Sequence, residues 1–364
     1  MFVIKLFVAL VIALALVIYI VNLNIKSKVP PITEVTSAPY KDAKFHNTTP
    51  RQPMTFSDTA ALWVRFFTEK KVNTTPDINI PVSRVSRADL DALSNDTLHL
   101  VKLGHSSILL KIYGEYWLID PVFSDRASPF QFAGPKRFHQ PPISLEDLPP
   151  IDKVLISHNH YDHLDKASIK ILRAKTQQFL VPKGVDGDLI NWGVQANTIT
   201  TFDWWQELKT SQGLVVFTPT QHFSGRGMGD GNATLWGAWV IKTPQDSIFF
   251  SGDSGYFQGF KETGDKYGPF DLTMIETGAY DADWADIHMK PEESVQAHID
   301  LKGKVMMPIH NGTFDLAFHT WHDPFDRVVA ESANRNVVLS TPQFGHIFSI
   351  KKLPPLTLWW KSEK

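Results

Sequence analysis

The chain has 364 residues, with 36 Lys and Arg against 38 Asp and Glu, a formal net charge of −2, 14 His and no Cys. This near-neutral balance provides no strongly basic surface for nucleic acid, and the absence of Cys excludes disulfides, thiol catalysis, iron–sulfur clusters and Cys-ligated zinc. Any bound metal must therefore be held by His and carboxylate side chains.

The first 27 residues are predicted to form a membrane anchor. Residues 6–21 carry no charge, and the apolar run reaches residue 25 if Asn22 and Asn24 are tolerated. A helix of about 20 residues is about 30 Å long, which matches the hydrocarbon core of a bilayer. A cleaved signal peptide and a buried core helix are the alternatives. Lysines flank both ends of the apolar run, so the positive-inside rule barely decides the orientation in the membrane. We expect the catalytic part on the periplasmic or extracytoplasmic side.

The rest of the chain is predicted to contain a linker and one catalytic domain. Residues 28–53 are rich in Pro, Thr and Lys without a regular period, which predicts a linker. Residues 54–364 form the predicted catalytic domain, which begins with a helical lead-in over residues 54–95. Short β-rich runs with fewer helices then favour an α/β fold in which two sheets are covered by helices. The predicted strands are 98–103, 107–112, 116–119, 153–157, 214–218, 235–241, 247–250, 272–275, 304–309 and 346–350, and the predicted helices are 165–175 and 291–301.

The densest group of metal-binding residue types lies directly after the predicted strand at 153–157. Three histidines and one aspartate, His158, His160, Asp162 and His163, fall within six positions. Imidazole and carboxylate groups suit zinc and similar divalent ions. Residues 158 and 160 can point the same way while 162 and 163 turn toward a neighbouring point, a geometry that suits two metal ions. The alternative is a polar loop that caps the following helix, with Asp165 as the cap.

Three further candidate ligands follow predicted strands elsewhere in the chain. His222 comes after the strand at 214–218, Asp253 after 247–250 and His310 after 304–309. A single His in such a place is weakly informative, because many buried histidines bind no metal. Three residues in the same position relative to a strand, together with the dense motif, predict convergence on one site.

Several short stretches, besides the His-x-His-x-Asp-His motif, carry a resemblance to a known family. They are 103–106, 120–129, 134–138, 148–152, 156–165, 203–205, 235–237, 268–272, 278–280, 291–293 and 310–314. With them, the sequence resembles the metallo-β-lactamase fold superfamily and, more narrowly, the N-acyl-phosphatidylethanolamine-hydrolysing phospholipase D family. The resemblance covers residues 96–350 and implies an αββα sandwich of two mixed β-sheets flanked by helices.

The resemblance also implies two Zn²⁺ ions per subunit. It assigns the first zinc to His158, His160 and His222, the second zinc to Asp162, His163 and His310, and a bridging position to Asp253. A carboxylate suits the bridging position because it can offer one oxygen to each ion. The β-lactamases of this fold use a Cys at the second metal, so the absence of Cys argues against β-lactam hydrolysis.

The remaining site predictions concern catalysis and substrate binding. Asp162 and Asp165 are predicted to take part in catalysis, Asp165 by orienting a metal-bound His or the nucleophile. His288 matches a substrate-contacting His of the family and is predicted to act in both catalysis and substrate binding. Tyr161, inside the motif, is a further candidate for substrate binding.

These features predict a membrane-anchored dinuclear zinc phosphodiesterase that hydrolyses N-acyl-phosphatidylethanolamine-type phospholipids to phosphatidic acid and an N-acylethanolamine. Two divalent ions can activate water and stabilise the charge on phosphoryl oxygens. A metal-dependent lactonase of the same fold is the alternative, and a membrane-tethered binding protein with a vestigial site is a third interpretation. The expected partners are the phospholipid substrate, the membrane and, from the resemblance alone, a second copy in a homodimer, with no nucleic acid.

Overall fold

The computed structural model describes residues 2–51 and 55–361. Within these residues, eight α-helices occur: α1 (Phe2–Ile25), α2 (Phe56–Thr68), α3 (Arg87–Asp91), α4 (Lys166–Leu172), α5 (Asp186–Asn191), α6 (Gly259–Tyr267), α7 (Pro291–Asp300) and α8 (Asp323–Asn334). The first eight strands are β1 (Tyr40–Lys41), β2 (Lys44–Phe45), β3 (Leu98–Gly104), β4 (Ser107–Ile112), β5 (Glu115–Ile119), β6 (Ile151–Leu155), β7 (Thr176–Pro182) and β8 (Ile199–Phe202). The remaining strands are β9 (Glu207–Thr210), β10 (Gly213–Thr218), β11 (Ala238–Lys242), β12 (Ser247–Phe250), β13 (Phe270–Glu276), β14 (Gly303–Ile309), β15 (Val338–Leu339) and β16 (Ile347–Ser349).

Apart from the small β1–β2 hairpin, the strands form two seven-stranded sheets. The first sheet has the order β16-β3-β4-β5-β6-β7-β8, antiparallel from β16 to β5 and parallel from β5 to β8. The second has the order β15-β14-β13-β12-β11-β10-β9, parallel from β15 to β12 and antiparallel from β12 to β9. Both sheets are therefore mixed.

The sheets pack face to face, and helices cover their outer faces. Trp117 of β5 and Trp239 of β11 belong to one buried cluster that joins the two sheets. Ile169 of α4 packs in a second cluster on the first sheet, and Val295 of α7 packs in a third cluster on the second sheet. Removing this apolar surface from water is what stabilises the layered arrangement. The predicted αββα sandwich of two mixed sheets is confirmed.

Most of the predicted strands are also observed. The strands at 107–112 and 247–250 have the predicted bounds, and the others differ mainly at their ends. The largest difference is the strand predicted at 235–241, which begins only at Ala238. Trp236 therefore lies in the loop before this strand. It is buried there, and its indole N–H donates to the carbonyl of Thr220 at 3.1 Å.

The predicted single-pass anchor over residues 1–27, and the periplasmic location that rested on it, are contradicted. Over the part of the chain that the structure describes, no helix combines the length and the apolar character needed to cross a bilayer. The end of α1 is hydrogen-bonded to the catalytic domain. The Asn22 amide donates to the carbonyl of Met228 at 3.1 Å and accepts from its N–H at 2.7 Å, and the N–H of Ser27 donates to Asp230 at 2.6 Å. The prediction was wrong because it counted apolar residues and did not anticipate these polar contacts.

Residues 28–51, which were predicted to be a linker, pack against the catalytic domain. The backbone N–H groups of Thr36, Ser37 and Ala38 all donate to the carboxylate of Asp203. Phe45 is fully buried in the cluster between the sheets. The predicted boundary between linker and domain, at residues 53 and 54, lies outside the described residues. Beyond it, the lead-in contains α2, which begins with a capping box formed by Thr55 and Asp58.

Candidate metal centre

The ends of several strands meet at one edge between the two sheets. The loop after β6 carries residues 158–163, and the loops after β10 and β12 carry His222 and Asp253. His310 directly follows β14. Strand ends at a common edge bring together residues that are far apart in sequence, and the structure places all seven predicted ligands in this region. Their role as metal ligands stays a prediction.

The first group of candidate ligands consists of His158, His160, His222 and Asp253, whose ligand atoms lie within 4.8 Å of one another. His160 Nδ1 is 2.9 Å from His158 Nε2 and 3.2 Å from His222 Nε2. The Asp253 Oδ2 atom is 3.6 Å from His158 Nε2 and 3.7 Å from His222 Nε2. Three imidazoles and one carboxylate form a set that suits a four-coordinate divalent ion.

The second group contains Asp162, His163 and His310, as the resemblance implied. His310 Nε2 lies 3.2 Å from Asp162 Oδ2, and His163 Nε2 lies 3.6 Å from the same oxygen. Asp253 faces this group as well, because its Oδ1 is 3.0 Å from His163 Nε2 and its Oδ2 is 3.0 Å from His310 Nε2. The carboxylate of Asp253 therefore lies between the two groups, where a bridging ligand would have to be.

The structure adds His105 to the second group, which the sequence prediction missed. Its Nε2 is 3.0 Å from Asp162 Oδ2, and it forms one potential ligand set with Asp162, His163 and His310. His105 directly follows β3 and is almost fully buried. The signal that could have found it is the one used for His310, a histidine at the end of a strand.

Several groups outside the ligand sets fix the direction of the imidazoles. His163 Nδ1 hydrogen-bonds to the fully buried carboxylate of Asp120 at 2.7 Å, and His222 Nδ1 hydrogen-bonds to the carbonyl of Ile287 at 3.0 Å. Such bonds leave Nε2 as the free nitrogen of each ring and orient it toward the site. Asp120 and His310 have φ angles of 43° and 61°, so both lie in the left-handed region that non-glycine residues rarely adopt. The fold holds strained backbone at the site.

The electrostatics of the site favour a bound cation. Burial lowers the pKa of His158 well below its ordinary value, so its imidazole is neutral and can offer a lone pair. Burial raises the pKa of Asp162 and Asp253, but the neighbouring histidines, chiefly His163 together with His310, outweigh this effect, and both pKa values lie well below the ordinary range. Burial also opposes charge on His310, yet the carboxylates of Asp253 and Asp162 raise its pKa to about 10.

Unpaired buried atoms give a further test of whether a metal fits. His163 Nε2 and Asp253 Oδ1 are buried and face each other at 3.0 Å, yet neither forms a hydrogen bond with favourable geometry to any described residue. Buried polar atoms almost always have a partner, and a divalent ion between facing imidazole and carboxylate atoms would provide one. The residues therefore fit a divalent metal of the zinc type.

The candidate ligands form part of the wall of a cavity of about 430 Å³. Four of them, His160, Asp162, Asp253 and His310, contribute to its lining together with His288. Apolar side chains and one arginine form the remaining wall: Leu62, Phe66, Phe223, Ala279, Trp284, Ile287, Leu316 and Arg51. The cavity thus combines a polar part formed by candidate metal ligands with an apolar part.

His288 is therefore beside the candidate ligands, as predicted. Its ring centroid lies 5.1 Å from that of His222 and 5.3 Å from that of His310. Its Nδ1 is hydrogen-bonded to Glu276, a fully buried carboxylate at the end of β13. Glu276 was also missed in the sequence, because a single Glu after an apolar strand carries no motif.

Tyr161 and Asp165 face away from this cavity and line a separate one of about 270 Å³. The Tyr161 hydroxyl donates to the carbonyl of Arg226 at 2.9 Å, and the Arg226 guanidinium lies 4.0 Å from the Tyr161 ring. Asp165 caps α4 and accepts from the N–H and hydroxyl groups of Ser124. Among the described residues, no candidate ligand donates a hydrogen bond to Asp165. Among the described residues, no contact of Tyr161 supports its predicted role in substrate binding, and none of Asp165 supports its predicted role in catalysis.

Known proteins are similar to this chain in sequence and in fold. Residues 116–311 match the beta-lactamase superfamily domain. An uncharacterized protein of Mycobacterium tuberculosis is 38% identical over 331 residues, which are 88% of this chain and 87% of that protein. N-acyl-phosphatidylethanolamine-hydrolyzing phospholipase D 1 of Caenorhabditis elegans is 35% identical over 265 residues, 69% of this chain and 74% of that protein.

Among solved structures, the metallo hydrolase Igni18 of Ignicoccus hospitalis superposes with a TM-score of 0.54 at 21% identity. The match covers 70% of this chain and 98% of that one, and it shows the shared fold alone. The His and Asp residues at the sheet edge and the sequence matches over most of the chain indicate the same family. The chain belongs to the metal-dependent hydrolases of the beta-lactamase superfamily and has N-acyl-phosphatidylethanolamine-hydrolysing phospholipases D among its homologues.

Proposed function

We propose that the protein is a dinuclear zinc phosphodiesterase of the phospholipase D type, acting on N-acyl-phosphatidylethanolamine-type lipids. The products would be phosphatidic acid and an N-acylethanolamine. The name of the Caenorhabditis elegans homologue supports the substrate class. The proposal depends above all on the composition of the cavity, which joins candidate metal ligands to an apolar wall.

The apolar wall suits a substrate with a hydrocarbon chain. Phe66 of α2 stacks on Trp284 with ring centroids 6.1 Å apart, and Leu62, one turn earlier, lines the same cavity. A wall of this kind gains free energy from removing apolar surface from water, at about 25 cal/mol per Å². A small polar substrate would not use this surface, whereas a lipid with its phosphate at the metal ligands would.

A positive charge on the cavity wall favours an anionic diester. Arg51 lines the cavity, and its guanidinium lies 5.2 Å from the Phe223 ring. Its Nε is 3.3 Å from the carboxylate of Asp286, and no described residue hydrogen-bonds to its other two nitrogens. Guanidinium groups recognise phosphate with paired N–H donors. This feature supports a phosphodiester over a neutral lactone.

Two divalent ions held by the candidate ligands would supply Lewis acidity to the phosphoryl oxygens and lower the pKa of a water molecule. The chain's own residues supply the geometry around that chemistry. Asp253 would connect the two ligand groups, and Asp120 would hold His163 in its ligating direction. Arg51 would balance the charge of the phosphate, and His288, in the cavity wall, would accept a hydrogen bond through Nε2 from the amide N–H of the substrate's N-acylethanolamine group.

The test is product analysis with purified, zinc-loaded protein. N-acyl-phosphatidylethanolamine, phosphatidylethanolamine and an acyl-homoserine lactone are offered separately in detergent micelles, and the products are identified by mass spectrometry. We expect phosphatidic acid and an N-acylethanolamine. Lactone opening without phosphatidic acid would refute the phosphodiesterase and support the lactonase. Asp253→Ala should abolish turnover and reduce the zinc content, whereas Asp265→Ala, a surface carboxylate on α6, should leave both unchanged.

A further inference from the structure

We propose that Glu276 is a positioning residue that fixes the tautomer of His288 and directs its Nε2 atom into the cavity. Glu276 lies behind His288 and His310 and does not itself line the cavity. This role rests on the proposed function only in so far as His288 contacts the substrate. The hydrogen-bonding geometry of the pair is independent of which substrate the enzyme takes.

Glu276 is held rigidly by its surroundings. Its backbone N–H donates to the hydroxyl of Ser251 at 2.8 Å, and its carbonyl accepts from the hydroxyl of Ser294 at 2.6 Å. Its Oε2 accepts from the backbone N–H of Ser254 at 2.5 Å. The side chain is fully buried, so water cannot satisfy the remaining carboxylate oxygen. That oxygen, Oε1, is the atom that pairs with His288 Nδ1.

The hydrogen bond to Glu276 determines which nitrogen of His288 is left free to face the cavity. A carboxylate oxygen accepts, so Nδ1 of the neutral ring must carry the proton and Nε2 must carry the lone pair. Among the described residues, none forms a hydrogen bond with His288 Nε2, and the side chain is 14% exposed in the cavity wall. Without Glu276, the ring could rotate or change tautomer, and the atom presented to a substrate would change.

The position of Glu276 relative to His310 distinguishes this role from that of a metal ligand. His310 faces Asp162 and Asp253 with Nε2, whereas Glu276 Oε1 lies 3.9 Å from the opposite nitrogen, Nδ1. Glu276 is therefore behind His310 with respect to the two ligand groups. The atoms of Asp253, Glu276, His288 and His310 are nevertheless close enough to hold an ion, so metal counting must form part of the test.

The first experiment needs no substrate. The zinc-loaded protein is labelled with ¹⁵N-histidine, and His288 is assigned from the signals that disappear in His288→Asn. We expect the ¹⁵N shifts of His288 to report a protonated Nδ1 and an unprotonated Nε2. Glu276→Leu replaces the carboxylate acceptor with an apolar side chain of similar size, and it should shift the proton of the His288 ring toward Nε2. A wild-type His288 with the proton on Nε2, or an unchanged tautomer in Glu276→Leu, would overturn the proposal.

The second experiment separates positioning from metal binding and from folding. We expect Glu276→Leu to keep the wild-type metal content and to lower kcat on the order of tenfold to a hundredfold, with KM changed by less than about threefold. Glu276→Gln keeps one acceptor oxygen for two donors, His288 Nδ1 and the backbone N–H of Ser254, so it should recover only part of the lost kcat. Since both residues act as one unit, Glu276→Leu combined with His288→Asn should be no slower than His288→Asn alone.

The kinetic result has clear contrary outcomes. A loss of metal in Glu276→Leu, or a third ion in the wild type, would make Glu276 a ligand and overturn the positioning role. Additive effects in the double variant would do the same. If the wild type released no phosphatidic acid, the proposed function would fail, but the NMR measurement would still decide the role of Glu276.

Discussion

Replacement of Asp120 by Asn offers a sharp test of how the second ligand group is held. Asp120 is fully buried and accepts from His163 Nδ1 at 2.7 Å and from the backbone N–H of Ser157 at 2.7 Å. Asp120→Asn keeps the shape of the side chain but removes its charge and replaces one acceptor oxygen with an NH₂ donor. His163 would then lose the partner that directs its Nε2 toward the site.

The size of the effect follows from the role of such partners. Loss of the carboxylate behind a ligating histidine typically costs 10–100-fold in metal affinity, which is about 1.4–2.8 kcal/mol. The loss should be larger for the ion held by Asp162, His163 and His310, because Asp120 contacts His163 directly. Among the described residues, Asp120 is connected to the first group only through Ser157, whose hydroxyl donates to Asp120 Oδ2 at 2.5 Å and lies 2.9 Å from His158 Nδ1, so the affinity for the first ion should fall less.

The assay is calorimetric titration of the metal-free protein with Zn²⁺. We expect Asp120→Asn to lose affinity unequally for the two zinc ions, with the larger loss at the ion held by Asp162, His163 and His310. Asp203→Asn is the matched control, because Asp203 is also a buried carboxylate but accepts from the backbone of residues 36–38. It should lower stability and leave both zinc affinities unchanged. Two unchanged affinities in Asp120→Asn, or an equal loss of both, would refute the reasoning.

Three further predictions concern metal removal, pH and the apolar wall. Removal of metal with EDTA should lower the melting temperature by about 5 °C in a thermal shift assay, because a bound ion at a hundredfold excess over Kd contributes about 2.7 kcal/mol. Burial lowers the pKa of His298 from 6.5 to about 4. Because the unfolded chain takes up a proton on this residue below about pH 6.5 and the folded protein only near pH 4, the free energy of unfolding should fall as the pH is lowered between these values. Urea unfolding should show a loss of about 1.4 kcal/mol per pH unit from this residue, which His298→Gln should remove. Phe66→Ser should lower kcat/KM for a long-chain lipid about tenfold, measured against a water-soluble phosphodiester, because an apolar side chain is lost from the wall.

Each of these predictions has a contrary result. An unchanged melting temperature after metal removal, with removal verified by elemental analysis, would mean that the ions do not stabilise the fold. Equal pH dependence in wild type and His298→Gln would contradict the buried neutral histidine. For the apolar wall, the control is Phe132→Ser, since the Phe132 side chain is 83% exposed and lies outside the cavity. Equal losses in Phe66→Ser and Phe132→Ser would contradict contact with the lipid chain.

The residues that sequence analysis located best are those whose position follows from local structure. A strand fixes the direction of the chain, so the residues just after β6, β10, β12 and β14 could be expected at one edge of the sheets. This argument gathered all seven candidate ligands from His158 to His310. The same relation to a strand holds for His105 after β3, which was overlooked.

The features that sequence analysis missed depend on contacts between distant segments. Asp120 and Glu276 matter through His163 and His288, and no sequence spacing reports those pairs. Tyr161 was placed with its neighbours His160 and Asp162, but the chain turns here, with the N–H groups of His163 and Leu164 donating to the carbonyl of His160, and the Tyr161 ring contacts Arg226 instead. The polar contacts at the end of α1 likewise could not be read from hydropathy.

In the proposed function, water attacks the phosphorus atom of a lipid phosphodiester beside the candidate metal ligands. This step is tested most directly by turnover of N-acyl-phosphatidylethanolamine in H₂¹⁸O by the zinc-loaded wild-type protein, with mass spectrometry of both products. The account predicts one ¹⁸O atom in the phosphate of phosphatidic acid and none in the N-acylethanolamine. Label in the N-acylethanolamine, or hydrolysis without phosphatidic acid, would contradict it.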